Sequence, residues 1–305
     1  MRIAVIDLGT NTCNLLIAET KATDEYKILH QSKQLVKLGD DRIKKNEISE
    51  EATTRALQSL LGHKKIIDTF NVDKVQVFAT SAVRDASNKT KFLEYLSCKT
   101  GWVIKVLSGE MEAEMIFKGV LLAFHEFHEP SVILDIGGGS NELILARDKE
   151  ILWKESQPTG MARVINRFNI SDPIKPGEII QLKKFFSEGH KNAFIKSKEI
   201  GVKKLIGCSG AFDTVADIID QVDPGKKSRV TQKITIEDFY SVHKIIIKST
   251  RDERLTIKGM DMVRLDLIVP AVILIEQLIS SIGITEITQT DYALREGAFY
   301  EMMKK

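Results

Sequence analysis

Short apolar runs recur along the chain, and several end in a carboxylate followed by glycine. Ile3-Ala4-Val5-Ile6 runs into Asp7-Leu8-Gly9-Thr10-Asn11, and Leu15-Leu16-Ile17-Ala18 follows. Val132-Ile133-Leu134 runs into Asp135-Ile136-Gly137-Gly138-Gly139-Ser140-Asn141-Glu142, and Leu143-Ile144-Leu145 follows. Such runs, bounded by turn residues and followed by no helical period, predict strand, turn, strand. Aligned without gaps, Asp7 meets Asp135, Gly9 meets Gly137 and Leu15 meets Leu143, an offset of 128 residues (135 − 7). Two buried strands can match by coincidence, but the shared Asp, Gly and downstream strand favour a repeat. A repeat at that spacing predicts two related domains, each presenting one loop to a shared cleft.

Strands and helices alternate after each hairpin. Tyr26 to Leu38 reads as a third strand. Ser49 starts a helix whose apolar face carries Leu57, Leu60, Leu61 and Ile67. Val75 to Ala79 is a strand leading into Thr80-Ser81-Ala82-Val83-Arg84 at a helix entry. Trp102 to Leu107 is a strand, and Ser108-Gly109 turns into a helix bearing Glu110, Glu112 and Glu114. In the second half, Glu150 to Gln157 is a strand and Pro158-Thr159-Gly160 turns toward a helix holding Arg163. Val202 to Ile206 runs into Gly207-Cys208-Ser209-Gly210 and a helix from Ala211 to Ile219. A long buried helix is predicted from Gly259 to Ser281, then a strand from Ile284 to Gln289 and a helix from Leu294 to Met303. The class is α/β, with domains at 1–125 and 126–305 and the last helix returning to the first.

The 305 residues are 43% hydrophobic and 28% charged, the composition of a globular chain long enough for two cores. A net charge of +2 provides no global basic field, so nucleic acid is not an expected partner. Cys13, Cys98 and Cys208 are odd in number and lack C-x-x-C spacing, which points to a reducing compartment. Asp7 arrives too early for a secretory signal. Leu267 to Ile275 contains Pro270 and stops at Glu276, short of a membrane span. A cytoplasmic protein without membrane partners, assembling as a homodimer, is expected.

The glycine-rich turns are the candidate chemistry. Glycine lets backbone N–H groups approach a ligand, and successive N–H groups form a concavity for anions such as phosphate. Gly137, Gly138, Gly139 and Ser140, with Gly9, Thr10 and Asn11, are the candidate phosphate-binding residues. Asp135, Glu142 and Asp7 are candidates to orient Mg²⁺ (or Mn²⁺). Glu142 stands where a dinucleotide fingerprint needs glycine, and no Walker Gly-Lys-Ser/Thr is present. Gly207, Ser209 and Gly210 form a third such turn, of strand-to-helix type. Ser81 and Arg84 can hold an anion; simple helix capping with a solvated Arg84 is the alternative. Glu110 and Glu114 fit solvated charges near a helix start. His125-Glu126-Phe127-His128-Glu129 fails H-E-x-x-H because Glu129 replaces the second His, and reads as a solvated inter-domain segment. Lys183, Lys184, Lys191, Lys196 and Lys198 read as a solvated helix face.

In this order and spacing the motifs resemble the exopolyphosphatase / guanosine pentaphosphate phosphohydrolase family of the actin-like ATPase superfamily. The marks are Asp7 to Thr12, Thr80 to Ala86, Ser108 to Ala113, Asp135 to Glu142, Gly160 to Arg163, Gly207 to Gly210 and Leu294 to Gly297. The resemblance implies two actin-like (ribonuclease H-like) domains flanking a phosphate-binding cleft, with Mg²⁺ between the two loops. It places the family's catalytic carboxylate on Glu112 and its phosphate-contacting arginine on Arg84. Met111 replaces the first Glu of the family's usual pair, and Ala211 replaces a common Thr. The C-terminal helical region of longer members is not expected here.

Hydrolysis of a terminal phosphoanhydride fits these residues, with Glu112 orienting water. The first expectation is a Mg²⁺-dependent exopolyphosphatase acting on inorganic polyphosphate. The alternatives are a phosphohydrolase removing the 5′-terminal phosphate of guanosine pentaphosphate, with guanosine penta- or tetraphosphate as ligand, and a non-hydrolytic alarmone or nucleotide sensor. A kinase is weaker, since it has no use for a water-directing Glu112.

Overall fold

The computed structural model describes residues 1–22, 25–39 and 46–304. Two compact units divide the chain: Met1–Gly119 with Leu294–Lys305, and Val120–Ala293.

The first unit opens with β1 (Arg2–Leu8), β2 (Thr12–Ala22) and β3 (Glu25–Leu35), an antiparallel meander whose central strand is β2. β4 (Lys74–Ala79) lies parallel to β1, and the short β5 (Ile104–Val106) lies parallel to β4. The resulting order is β3-β2-β1-β4-β5. Helix α1 (Glu50–Thr69) begins where the Ser49 side chain accepts the Ala52 N–H, and it buries Ala52, Ala56, Leu60 and Ile67 at helical spacing. α2 (Ser81–Arg84), α3 (Lys89–Thr100) and α4 (Gly109–Phe124) follow the parallel strands.

The second unit repeats the plan. β6 (Phe127–Ile136), β7 (Asn141–Asp148) and β8 (Glu150–Gln157) form the meander, and β9 (Lys204–Cys208) lies parallel to β6. β10 (Gln232–Ile234) and β11 (Glu286–Thr290) complete the order β10-β11-β9-β6-β7-β8, one antiparallel edge strand beyond the first sheet. This is the ribonuclease H-like strand order, present twice.

The repeat holds in register. Asp7 lies opposite Asn14, and Asp135 lies opposite Glu142. Both turns close with the same hydrogen bond: Gly9 N–H to the Thr12 carbonyl at 2.9 Å, and Gly137 N–H to the Ser140 carbonyl at 3.0 Å.

α5 (Met161–Phe168), α6 (Pro176–Gly189), α7 (Lys191–Ile200) and α8 (Gly210–Asp220) cover the second sheet with α9 (Ile236–Lys248), α10 (Arg251–Thr256) and α11 (Ile268–Ile282). α11 is buried from Ile268 through Ile275 without interruption, as the continuous apolar run requires. α12 (Leu294–Met303) belongs to the first unit.

Three expectations change. The long helix predicted from Gly259 is shorter: a 3₁₀ turn, Met262–Arg264, precedes α11, and Pro270 sits in the first turn of α11, where its missing N–H costs nothing. Gly259 has φ +90° and lies against the Asp217 carbonyl, incompatible with a helix start. The strand at Trp102 to Leu107 pairs only over Ile104–Val106. The segment near His125 is not wholly solvated, since Phe127 is buried and starts β6, while His128 and Glu126 remain exposed. The division between the two compact units falls within α4, between Gly119 and Val120.

α12 approaches α4 so closely that a Cβ on Gly297 would stand 1.8 Å from the Met115 carbonyl oxygen. Gly297→Ala should therefore lower stability by about 1–3 kcal/mol, read as a drop in denaturation midpoint. An unchanged midpoint would show that the two helices separate freely.

Candidate functional site

In the first unit, Asp7 stands one residue before the end of β1 and its Oδ2 accepts from Asn14 Nδ2 at 3.2 Å. Asn11 and Thr10 turn their carbonyls to the Val36, Lys37 and Leu38 N–H groups (2.8, 3.0 and 2.7 Å), which anchors the loop from one side. Thr10 Oγ1 and Ser81 Oγ, both buried, lie 3.2 Å apart and tie the loop to the start of α2.

One turn further on, Arg84 extends from the end of α2 to two acceptors. Its Nη1 donates to the Leu107 carbonyl at 3.0 Å and to Glu112 Oε2 at 2.7 Å. Glu112 stands in the first turn of α4, where exposed N–H groups favour a carboxylate, and its side chain is only 9% exposed. Ser108 starts that turn: its Oγ accepts the Met111 N–H at 3.2 Å. Glu110 points to solvent. Arg84 is therefore not a solvated capping arginine, and Thr80 forms no side-chain cap. Arg84 and Glu112 make a partly buried ion pair; Glu110, two residues away on the same helix, does not share it.

In the second unit, Asp135 occupies the end of β6 with 7% exposure. Its Oδ2 accepts from Ser209 Oγ at 2.8 Å and lies 3.7 Å from Cys208 Sγ. Burial pushes its pKa from 3.8 up to about 6, against those two hydrogen bonds, with Asp213 raising it further and Arg264 lowering it. Burial, with Asp135 next, also raises the Cys208 thiol well above its ordinary value, so this sulfur is no thiolate ligand. Glu142 is directly opposite Asp135 in the ladder, on the same face, and accepts from Ser156 Oγ at 2.7 Å.

The loop between them is held by its carbonyls. Met161 N–H bonds the Gly137 carbonyl at 3.0 Å, Ala162 N–H the Gly138 carbonyl at 2.9 Å, and Arg163 Nε the Gly139 carbonyl at 2.7 Å. Among the described residues, the N–H groups of Gly138, Gly139 and Ser140 have no backbone acceptor. A turn fixed through its oxygens, with its N–H groups uncommitted to the backbone, is suited to an anion.

The third turn differs from its sequence reading. A Cβ on Gly207 would overlap the Phe212 ring, so that glycine serves packing. Ser209 adopts φ +67°, ψ +170°, a region otherwise used by glycine, and its hydroxyl is spent on Asp135. A Cβ on Gly210 would stand 1.6 Å from Arg264 Nη2, so a guanidinium lies against the first residue of α8. Arg264 was not singled out by the sequence; its signal was a lone arginine inside the apolar stretch taken for one long helix. Lys183 and Lys196, on α6 and α7, pair with Glu276 and Glu199, as ordinary helix-face charges do.

Among the described residues, no three His, Cys, Asp or Glu side chains are grouped to hold a metal ion. Among the same residues, no helix is long and apolar enough to cross a membrane.

A duplicated ribonuclease H-like fold with a glycine turn and carboxylate in each copy defines a class of phosphate-handling proteins. Residues 16–305 match the Ppx/GppA phosphatase family, and the chain belongs to that family of hydrolases. It is 37% identical to a solved exopolyphosphatase from Cytophaga hutchinsonii, with a TM-score of 0.94 and coverage of 100% of this chain and 98% of that one. It is 25% identical to exopolyphosphatase 2 of Mycobacterium tuberculosis over 97% of both chains. It is 30% identical to a bifunctional 3-dehydroquinate synthase/phosphatase of Fusobacterium nucleatum, over 92% of this chain; the match spans 43% of that longer protein.

Asp135 generates a pH prediction. The unfolded chain ionises this carboxyl near 3.8, whereas the folded protein keeps it protonated up to about 6. Between those values folding takes up a proton, so this contribution to stability is present at low pH and is lost as pH rises. In chelator, Asp135→Asn should be more stable than the parent at pH 7, by up to about 3 kcal/mol, and nearly equal to it at pH 4. Denaturant midpoints at both pH values check this; a parent as stable as the variant at pH 7 contradicts the burial argument.

Proposed function

We propose that the chain is a Mg²⁺-dependent exopolyphosphatase that removes the terminal phosphate of inorganic polyphosphate with water directed by Glu112. The observation that carries this reading is the ion pair between Arg84 and Glu112. A carboxylate sequestered at a helix start and aimed by a guanidinium is equipped to accept a proton from water. The exopolyphosphatase names of the Cytophaga and Mycobacterium relatives support the substrate class.

Phosphoryl transfer depends on positioning and charge neutralisation more than on covalent catalysis. In this reading the N–H groups of Gly138, Gly139 and Ser140 bind non-bridging phosphate oxygens, and the Gly9–Asn11 turn does the same in the first unit. Gly210 and Arg264 add a cationic edge at the start of α8. The donors of the second unit suit a hard cation: Asp135 and Glu142 present oxygen on one face, and the thiol of Cys208 stays protonated. Mg²⁺ commonly takes only one or two carboxylates and completes its shell with water and substrate phosphate, and it would neutralise the anhydride oxygens. Glu112 accepts the water proton, and Arg84 keeps its carboxylate pointed.

Phosphate release from long-chain polyphosphate, compared with guanosine pentaphosphate at equal Mg²⁺, tests the substrate. Polyphosphate is expected to be the better substrate, with release abolished by excess chelator; preference for guanosine pentaphosphate would replace this proposal with the alarmone phosphohydrolase. Glu112→Gln preserves shape and removes basicity, so kcat should fall about 10²–10⁴-fold while substrate binding persists. Glu110→Gln, on the exposed face, should be near neutral. Equal small effects from both would leave Glu112 without a catalytic role and favour the sensor.

A further inference from the structure

Glycine-rich loops have little rigidity of their own, so something outside the Gly137–Ser140 turn must hold its shape. Its carbonyls rest on the start of α5, and α5 begins at Gly160, where a Cβ would stand 2.4–2.5 Å from the Gly138 and Gly139 backbone. The residue before that contact is Thr159, and it is locked from both ends. Asn141, which follows the loop directly, donates its Nδ2 to the Thr159 carbonyl at 2.7 Å and to Thr159 Oγ1 at 3.0 Å. Thr159 Oγ1 lies 2.8 Å from His190 Nε2, and His190 Nδ1 lies 2.7 Å from Glu155 Oε1. The second Glu155 oxygen accepts from Gln157 Nε2 at 3.2 Å.

The donor and acceptor roles close in one arrangement. Glu155 accepts the Nδ1 proton of His190, Nε2 accepts the Thr159 hydroxyl proton, and Oγ1 accepts from Asn141. The imidazole, hydroxyl and carboxylate on this line each have a defined role, while Asn141 Oδ1 is buried without a partner among the described residues. Acid, imidazole and hydroxyl in sequence resemble a nucleophilic triad. However, His190 is fully buried, Thr159 is 3% exposed, and its oxygen is engaged on both sides, so no substrate reaches it.

We propose that Glu155, His190 and Thr159 form a buried strut that sets the spacing between Asn141 and Gly160, and thereby presents the N–H groups of Gly138, Gly139 and Ser140 at the separation a phosphate needs. His190 and Thr159 are positioning residues in this role, acting through the loop; the inference rests on the reading of that loop as a phosphate site. The strut joins β8, the junction of α6 and α7, the start of α5 and the start of β7. A grip on non-reacting phosphate oxygens acts on bound substrate and transition state alike, so loosening it raises KM more than it changes kcat.

The test compares Thr159→Val, which removes the hydroxyl at nearly constant volume, with Thr159→Ser, which retains it, at a temperature where thermal unfolding shows both folded. KM and kcat are measured for tripolyphosphate, and amide hydrogen exchange is followed across residues 137–141 without substrate. Thr159→Val is expected to raise KM about tenfold with kcat within about threefold, and to speed loop exchange about tenfold, the scale of one buried hydrogen bond. Thr159→Ser should restore both. Glu155→Gln, which keeps an acceptor for His190, should shift both in the same direction by less, and it replaces Thr159→Val if that variant does not fold. Unchanged loop exchange and KM, or a fall in kcat at constant KM, overturns the strut. A parent protein that releases no phosphate refutes the proposed activity instead, while the exchange measurement still decides the strut.

Discussion

Glu112 meets the Arg84 guanidinium in a largely buried position, and the first unit is arranged so that the two come together. An unpaired carboxylate there would carry several kcal/mol of desolvation, and removing one member of such a pair commonly costs about 3–5 kcal/mol. Arg84 comes from the short α2 after β4, and its second acceptor, Leu107, follows β5. Glu112 comes from α4, started by Ser108. Parallel strands β4 and β5 thus deliver both partners from one end of the sheet, where an open α/β sheet offers its loops to ligands.

The second unit uses the same frame for a different electrostatic end. Asp135 takes hydrogen bonds from a hydroxyl and a thiol rather than from a cation, and its pKa rises to about 6. Where the first repeat sets Asn14 opposite Asp7, the second sets Glu142 opposite Asp135. The neutral amide supports one carboxylate; the second acid doubles the charge on the face. The tension is stored locally too, since Ser209 holds a glycine-like backbone conformation in order to reach Asp135.

Much of this was legible in the sequence because strands and turns are local. The Asp-Gly turn repeated 128 residues apart (135 − 7) marked both hairpins, and the register of Asp7 with Asn14 and Asp135 with Glu142 follows from turn length alone. The family resemblance is what implies a role for Glu112, and the structure adds its partner Arg84, which lies 28 residues earlier and cannot be paired by spacing. Arg264 has no sequence signal of its own, since it sits in an apolar run that reads as a single helix although a 3₁₀ turn precedes α11. Gly207 packs against the Phe212 ring, and glycine needed for close packing looks the same in one sequence as glycine needed for ligand approach. His190 carried no local signal at all, since its partners Thr159 and Glu155 meet it only after folding.

In the proposed reaction water, directed by Glu112, attacks the terminal phosphorus in a single in-line step. The stereochemical course tests it most directly: a polyphosphate ending in an isotopically chiral thiophosphate is hydrolysed in labelled water, and the configuration of the released thiophosphate is determined. Inversion is the predicted result. Retention would mean two displacements through a phosphorylated side chain, and would contradict the assignment of Glu112 as the group that directs water.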